Sequence, residues 1–308
     1  MGTLRLCLAG TVVLVWAVGQ SGAVTAQSET AGTDADWPRV ERSVVYGDDD
    51  PAYQRLHIFR PEPRENPRPA LIWFHGGGLE VGVNVDDTLE FGQLAAGGAL
   101  GEPYVTFLAG YRLLNRITGE PRWPAQLDDA QRIVRWVRAH ADEYNVDPHR
   151  ICSAGDSSGG HLAAILGVLE TRDDSDPELA GISSRVDCAI TIAGVVDMSV
   201  PLYEWARGKW YEAIPEADIA VDPSLALDAS VVHHVDEDTV PMLILHGNRD
   251  DTVPIEQSRN LADALAAAGI EYAYAELPAG HGYYGILQEQ GTLELMKAFL
   301  NYQVHPEQ

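Results

Sequence analysis

Lysine is almost missing from this chain: Lys209 and Lys297 are the only two in 308 residues. Arginine supplies nearly all the positive charge, and 21 basic residues face 46 acidic ones, for a formal net charge of −25. Such a surface repels phosphate backbones and anionic lipid, which argues against nucleic acid and anionic membranes as partners. Cysteine is scarce too, with Cys7, Cys152 and Cys188 the full complement. No Cys/His grouping has metal-ligand spacing, so neither a metal nor another cofactor is expected. The acidic runs Asp48-Asp49-Asp50 and Asp173-Asp174-Ser175-Asp176 lack a complete ligand loop and read as solvated turns. There is no internal repeat and no interdomain linker.

Charge is also rare at the N-terminus, where Arg5 is the only charged side chain before Glu29. An apolar stretch from Leu6 to Val18 follows, then small residues up to Val24-Thr25-Ala26. This is the pattern of a signal peptide, too short for a spanning helix with stop-transfer flanks. Residues 1–26 are therefore expected to be removed after Ala26, leaving 27–308 as a single secreted or periplasmic domain without a membrane span. An exported location would permit a Cys152–Cys188 bridge. Both cysteines fall in predicted core strands, however, and bridge geometry is demanding, so buried free thiols are expected.

The rest of the chain alternates strand and helix, which points to an α/β fold. Strands are expected near Arg42–Tyr46, Gln54–Phe59, Ala70–Phe74, Tyr104–Ala109, Arg150–Ala154, Asp187–Ile192, Pro241–Leu245 and Glu271–Leu277. Helices are expected near Asp87–Leu94, Pro124–Glu143, Ser158–Leu169, Ile255–Ala268 and Gly291–Tyr302. In the second helix Ala130, Ile133, Val134 and Val137 form one apolar stripe, which reads as core. The stretch of about 195–238 is too long for a plain crossover and reads as a small helical lid. Its Tyr203, Trp205, Trp210 and Tyr211 either line a pocket or anchor the lid, and the sequence leaves both open.

Chemistry enters at Gly155-Asp156-Ser157-Ser158-Gly159. A strand ends there and a helix begins, and the Gly-x-Ser-x-Gly spacing suits a turn too sharp for side chains at its glycines. Such a turn lifts the Ser157 hydroxyl clear of the backbone at a helix N-terminus, as a nucleophile requires. Upstream, the strand Ala70–Phe74 opens into His75-Gly76-Gly77-Gly78. Glycines let backbone N–H groups approach the oxygen on which acyl transfer builds negative charge. The amides of Gly77, Gly78 and Ser158 are the expected oxyanion donors. Downstream, Asp250 sits in the loop after Pro241–Gly247, and His281 sits in Gly280-His281-Gly282 after the last strand. His281 would serve as base and Asp250 would orient it. Asp251 is a nearby rival. Asp250 is preferred for its place four residues after His246. His75 and His246 read as loop supports, His161 as packing on the elbow helix, and His233-His234 as a local loop feature.

These motifs, together with Tyr111-Arg112-Leu113, the Pro124–Trp136 stretch and Ser230 to Val235, resemble α/β-hydrolases of the carboxylesterase group. The chain is similar to their hormone-sensitive-lipase-like and bacterial feruloyl-esterase-like branches over about residues 40 to 304. The resemblance implies an α/β-hydrolase fold: a mostly parallel eight-stranded sheet flanked by helices. It also implies serine hydrolysis of carboxylic esters, small-molecule or oligosaccharide-linked. Amide or lactone hydrolysis with the same apparatus is the nearest alternative, and an inactive hydrolase-like binding protein is the alternative from another class. Leu79-Glu80 stands where many relatives carry a large aromatic, and Ser158 where alanine is common. Leu79, Glu80, Trp205 and Trp210 are accordingly the candidate pocket residues.

Overall fold

A computed structural model describes residues 3–8, 11–16, 37–80, 88–115, 117–200, 202 and 224–304. The strands are β1 (Thr3–Leu8), β2 (Thr11–Trp16), β3 (Arg39–Val45), β4 (Arg55–Arg60), β5 (Arg68–Phe74), β6 (Val105–Ala109), β7 (Val146–Asp156), β8 (Cys188–Ile192), β9 (Met242–Gly247) and β10 (Tyr272–Leu277). They form one sheet in the order β2-β1-β10-β9-β8-β7-β5-β6-β4-β3. The run from β10 to β6 is parallel, and antiparallel pairs lie at both edges. The helices are α1 (Leu89–Ala96), α2 (Ala125–Ala139), α3 (Ala141–Tyr144), α4 (Ser158–Ile165), α5 (Ser224–Ala229), α6 (Glu256–Ala268), α7 (Tyr283–Leu287) and α8 (Thr292–Val304).

Side-chain alternation along each strand divides the core in two. On β5, Ala70, Ile72 and Phe74 face one layer, while Leu71 and Trp73 face the other. The first layer packs under α2, α4 and α6 through Leu127, Ile133, Val137, Leu162 and Leu261. The α2 stripe lies there as expected. The second layer packs under α1 and α8 through Phe91, Met296 and Leu300. Parallel strands buried on both faces explain the continuous apolar runs at Ala70–Phe74 and Met242–Leu245.

All eight expected strands are present, but the sheet has ten. The extra pair comes from the stretch expected to be a leader. Its β-branched residues Val12, Val13 and Val15 suit extended backbone, and β1 pairs antiparallel with β10, Thr3 opposite Glu276. The long helix expected over Pro124–Glu143 breaks at His140. The His140 ring stacks on Trp136 with centroids 4.0 Å apart, and its Nδ1–H donates to the Trp136 carbonyl at 2.8 Å. Half of the expected lid, including Tyr203, Trp205, Trp210 and Tyr211, lies outside the described residues. Its entry is held by Gln257 of α6, whose Oε1 accepts the Val196 and Asp197 amides at 2.8 and 2.7 Å.

The cysteines correct the sequence reading, because Cys152 and Cys188 form a disulfide. Register is the reason. The β7–β8 pairing sets Cys152 directly opposite Cys188, both side chains enter the second core layer, and the Cα atoms are 4.7 Å apart. Strand spacing alone therefore brings the sulfurs within bonding reach. The bridge spans 36 residues of sequence, a loop whose closure is worth about 4 kcal/mol against the unfolded chain. Replacing both cysteines with alanine is expected to lower the unfolding free energy, measured by denaturant titration, by most of that amount. In the unmodified protein, Cys152 and Cys188 should resist alkylation until the chain is both unfolded and reduced, a result that mass spectrometry reads directly.

Candidate active site

The carboxyl ends of the parallel strands carry the candidate groups, as expected for an open α/β sheet. At the end of β7 the chain turns so sharply that Ser157 adopts φ 53°, ψ −121°. For a residue with a side chain this is a sparsely populated conformation. It is enforced by backbone contacts, since a Cβ on Gly159 would lie 2.1 Å from the Phe74 carbonyl oxygen and one on Gly155 2.4 Å from that of Gly159. The Ser157 N–H donates to the Ile192 carbonyl at 2.8 Å, tying the turn to β8.

The glycine loop leaves the end of β5, next to β7 in the sheet. Gly77 and Gly78 have φ 121° and 69°, values open to glycine at little cost. His75 supports the loop, as expected. Its ring stacks on Tyr111 with centroids 4.4 Å apart, and its Nδ1–H donates to the Gly76 carbonyl at 2.7 Å. Burial lowers the His75 pKa, so the ring is a neutral strut. The Tyr111 hydroxyl donates back to the His75 carbonyl at 2.6 Å.

The expected oxyanion donors are brought together, with one qualification of their roles. The Gly78 N–H donates to Ser158 Oγ at 3.0 Å, and that hydroxyl also bonds to Tyr111. No hydrogen bond among the described residues engages the Gly77 or Ser158 amides. The Ser158 amide lies at the N-terminus of α4, where partial positive charge collects. Of the expected pocket residues, Leu79 is fully buried in the first core layer and lines no open wall, which corrects that assignment. A left-handed φ of 64° turns it inward from the loop. Glu80 is half-buried beside it.

Asp250 and His281 meet from the loops after β9 and β10. The His281 Nδ1–H donates to Asp250 Oδ2 at 2.7 Å. The loops are held close by their backbones: a Cβ on Gly247 would sit 2.3 Å from the Gly280 carbonyl oxygen. The Arg249 N–H donates to the Ala279 carbonyl at 2.9 Å. Asp250 Oδ1 accepts the Thr252 and Val253 amides, each at 2.8 Å. Burial disfavours the Asp250 anion, but bonds from His246, His281 and the Val253 amide outweigh it and hold the carboxyl well below the usual range. His246, fully buried, places Nε2 3.3 Å from Asp250 Oδ2 and 3.0 Å from the Val253 carbonyl, with Nδ1 2.7 Å from Ser258 Oγ. Asp251, the rival, is exposed and takes the Thr252 hydroxyl at 3.3 Å.

Sequence reasoning missed two contributors. One is the Tyr111 hydroxyl, which braces the glycine loop from the segment after β6. The other is Asp156, whose Oδ1 accepts the Gly76 N–H at 3.1 Å. An acid beside the nucleophile was the available signal.

A strained serine between glycines, a glycine loop on the neighbouring strand and a paired Asp and His on the loops after β9 and β10 define an α/β hydrolase. The chain belongs to the BD-FAE family, whose model matches residues 56–265. Esterase LipC of Mycobacterium tuberculosis is 33% identical over 252 residues, 79% of this chain and 59% of LipC, so the chain spans less than two thirds of that relative's length. A truncated carbohydrate esterase from gut microbiota superposes with a TM-score of 0.72 at 26% identity, covering 87% of this chain and 97% of that one. Esterase 2 of Thermogutta terrifontis, solved phosphonylated by sarin, gives 0.68 at 29% identity, covering 87% and 96%. The same esterase is also known with propionate bound.

The buried Ser158 hydroxyl offers a direct check on the loop geometry. Ser158→Ala leaves the Gly78 amide without its acceptor and Tyr111 with one bond fewer. A loss of about 1–3 kcal/mol in urea unfolding is expected, with the Ser158 backbone amide and its helix N-terminus unchanged.

Proposed function

We propose that this protein is a carboxylic ester hydrolase working through an acyl-enzyme. The observation that carries the proposal is the 2.7 Å Asp250–His281 bond, on loops at the same carboxyl end of the sheet as a serine held at φ 53°. Ser157 Oγ attacks the ester carbonyl as His281 Nε2 takes its proton. The alcohol departs with that proton, and water then repeats the cycle on the acyl group. Asp250 donates no proton. Its stabilised anion fixes the ring with Nδ1 protonated and Nε2 facing the serine, and it offsets the imidazolium that forms. The Gly77 and Ser158 amides receive the oxyanion, while the Gly78 amide, which donates to Ser158 Oγ, steadies the loop beside them.

The favoured substrate is a neutral ester with a short acyl group, on a simple alcohol or on a sugar. The carbohydrate-esterase likeness and the propionate complex of the Thermogutta enzyme support this. The net charge of −25 works against anionic substrates. Trp205 and Trp210 remain candidates for the acyl wall. Export follows the same line: a leader removed after Ala26 delivers the chain to an oxidising compartment, and the buried disulfide suits that destination.

A fluorophosphonate probe is expected to label Ser157, in keeping with the phosphonylated relative. Ser157→Ala should abolish labelling and lower turnover of p-nitrophenyl acetate by about 10³-fold or more. Labelling at another serine refutes the assignment. Asp250→Asn should cost about 10⁴-fold in kcat, because the ring loses the acceptor that fixes its tautomer, while exposed Asp251→Asn should stay within a few-fold of the parent. Equal losses in two folded variants would move the acid to Asp251. N-terminal sequencing of the exported protein checks the leader, with Gln27 expected as the first residue.

A further inference from the structure

Asp156 is almost fully buried at 9% exposure, ends β7 and immediately precedes the nucleophile. Its Oδ1 takes the Gly76 N–H from the glycine loop at 3.1 Å. It also takes the N–H of Tyr283, two residues past His281. A Cβ on Gly76 would lie 3.1 Å from Asp156 Oδ2 and 3.2 Å from Ser157 Cβ, so the bare glycine lets the loop rest on both residues. One side chain thus joins the three segments whose relative placement the reaction needs: elbow, glycine loop and base loop. Tyr283 is braced independently, its ring edge-on to Trp73 of β5 with centroids 5.2 Å apart.

We infer that Asp156 is a positioning residue for the hydrolysis: it locks the glycine loop and the His281 loop to the nucleophile and adds a second negative charge beside the imidazole. The inference rests on the Ser157–His281 reading above.

The electrostatics agree with this geometry. The titratable groups that face Asp156 are His281, from the loop after β10, and Tyr111, from the segment after β6. The glycine loop and the neighbouring Ile192 of β8 bring no charge. Burial pushes the Asp156 carboxyl up to about 6, against the pull of His281 and the Gly76 and Tyr283 amides. A carboxylate kept in so unfavourable a place is a mark of a functional site. During acylation the proton of Ser157 arrives on His281, and the new cation then lies near two anions, Asp250 on its Nδ1 side and Asp156 beside the elbow. Below the Asp156 pKa that second anion is neutralised, and its attraction for the cation is lost.

The test uses the full-length enzyme with p-nitrophenyl acetate, rates being normalised to sites titrated with a fluorophosphonate. Asp156→Asn keeps an oxygen acceptor but removes the charge. Its kcat is expected to fall about tenfold with a much smaller change in KM, and the acid limb of kcat/KM is expected to move down by roughly half a pH unit or more. Asp156→Ala removes the acceptor as well and should fall further, whereas Asp156→Glu should recover part of the rate and return the acid limb towards that of the parent. An acid limb that stays in place in the folded Asn variant overturns the electrostatic role. Equal kcat in the Asn variant and the parent overturns the inference as a whole. Absence of Ser157 labelling in the parent would instead defeat the hydrolase reading, a separate outcome.

Discussion

The site depends on a turn with no spare room. Ser157 is held at a positive φ because the backbone of Gly159 lies against Gly155 and against the carbonyl of Phe74. These contacts come from β5 and from α4, so sheet and helix must both be in place before the serine is presented. The cost of a strained residue, of order 1–3 kcal/mol, is met by the packing that enforces it. The same approach of β5 to the elbow carries the glycine loop to the nucleophile. The two functions proposed for these segments, nucleophile display and oxyanion binding, would therefore share one steric constraint.

Polar bonding fixes what sterics leave free. The His75 and Gly76 carbonyls and the Gly76 and Gly78 amides are taken up by Tyr111, His75, Asp156 and Ser158, so few backbone rotations remain. On the other side Asp250 is satisfied by two amides and flanked by two imidazoles. Preorganisation of this kind spares the protein the cost of reorienting dipoles during the reaction.

Much of this was legible in the sequence because it is local. Gly-x-Ser-x-Gly and His-Gly-Gly-Gly record backbone conformations that few other residues tolerate, and apolar runs mark strands buried on both faces. Asp250 could be preferred over Asp251 by its spacing from His246, and the 2.7 Å bond to His281 agrees. What escaped was set by register and tertiary contact. The disulfide follows from which residue of β7 faces which residue of β8, a relation no run of sequence records. Leu79 looked like a pocket wall because it follows the glycine loop, yet its left-handed backbone turns it into the core. The break at His140 came from a ring stacking on its own helix.

The division of the core by the sheet has a consequence for how the protein fails. The elbow helix α4 rests on the layer beneath α2 and α6, whereas Tyr283, just past His281, packs with the layer beneath α1 and α8. The proposed nucleophile and the brace of the proposed base thus lean on different core layers, and Asp156 bonds to the segments of both. Loosening of the α1–α8 side would slacken the Tyr283 brace of the His281 loop while Ser157 still stands in its turn. Loss of turnover on heating can then precede melting of the sheet, and an engineer seeking durable activity gains more from the α1–α8 side than from further tightening beneath the elbow.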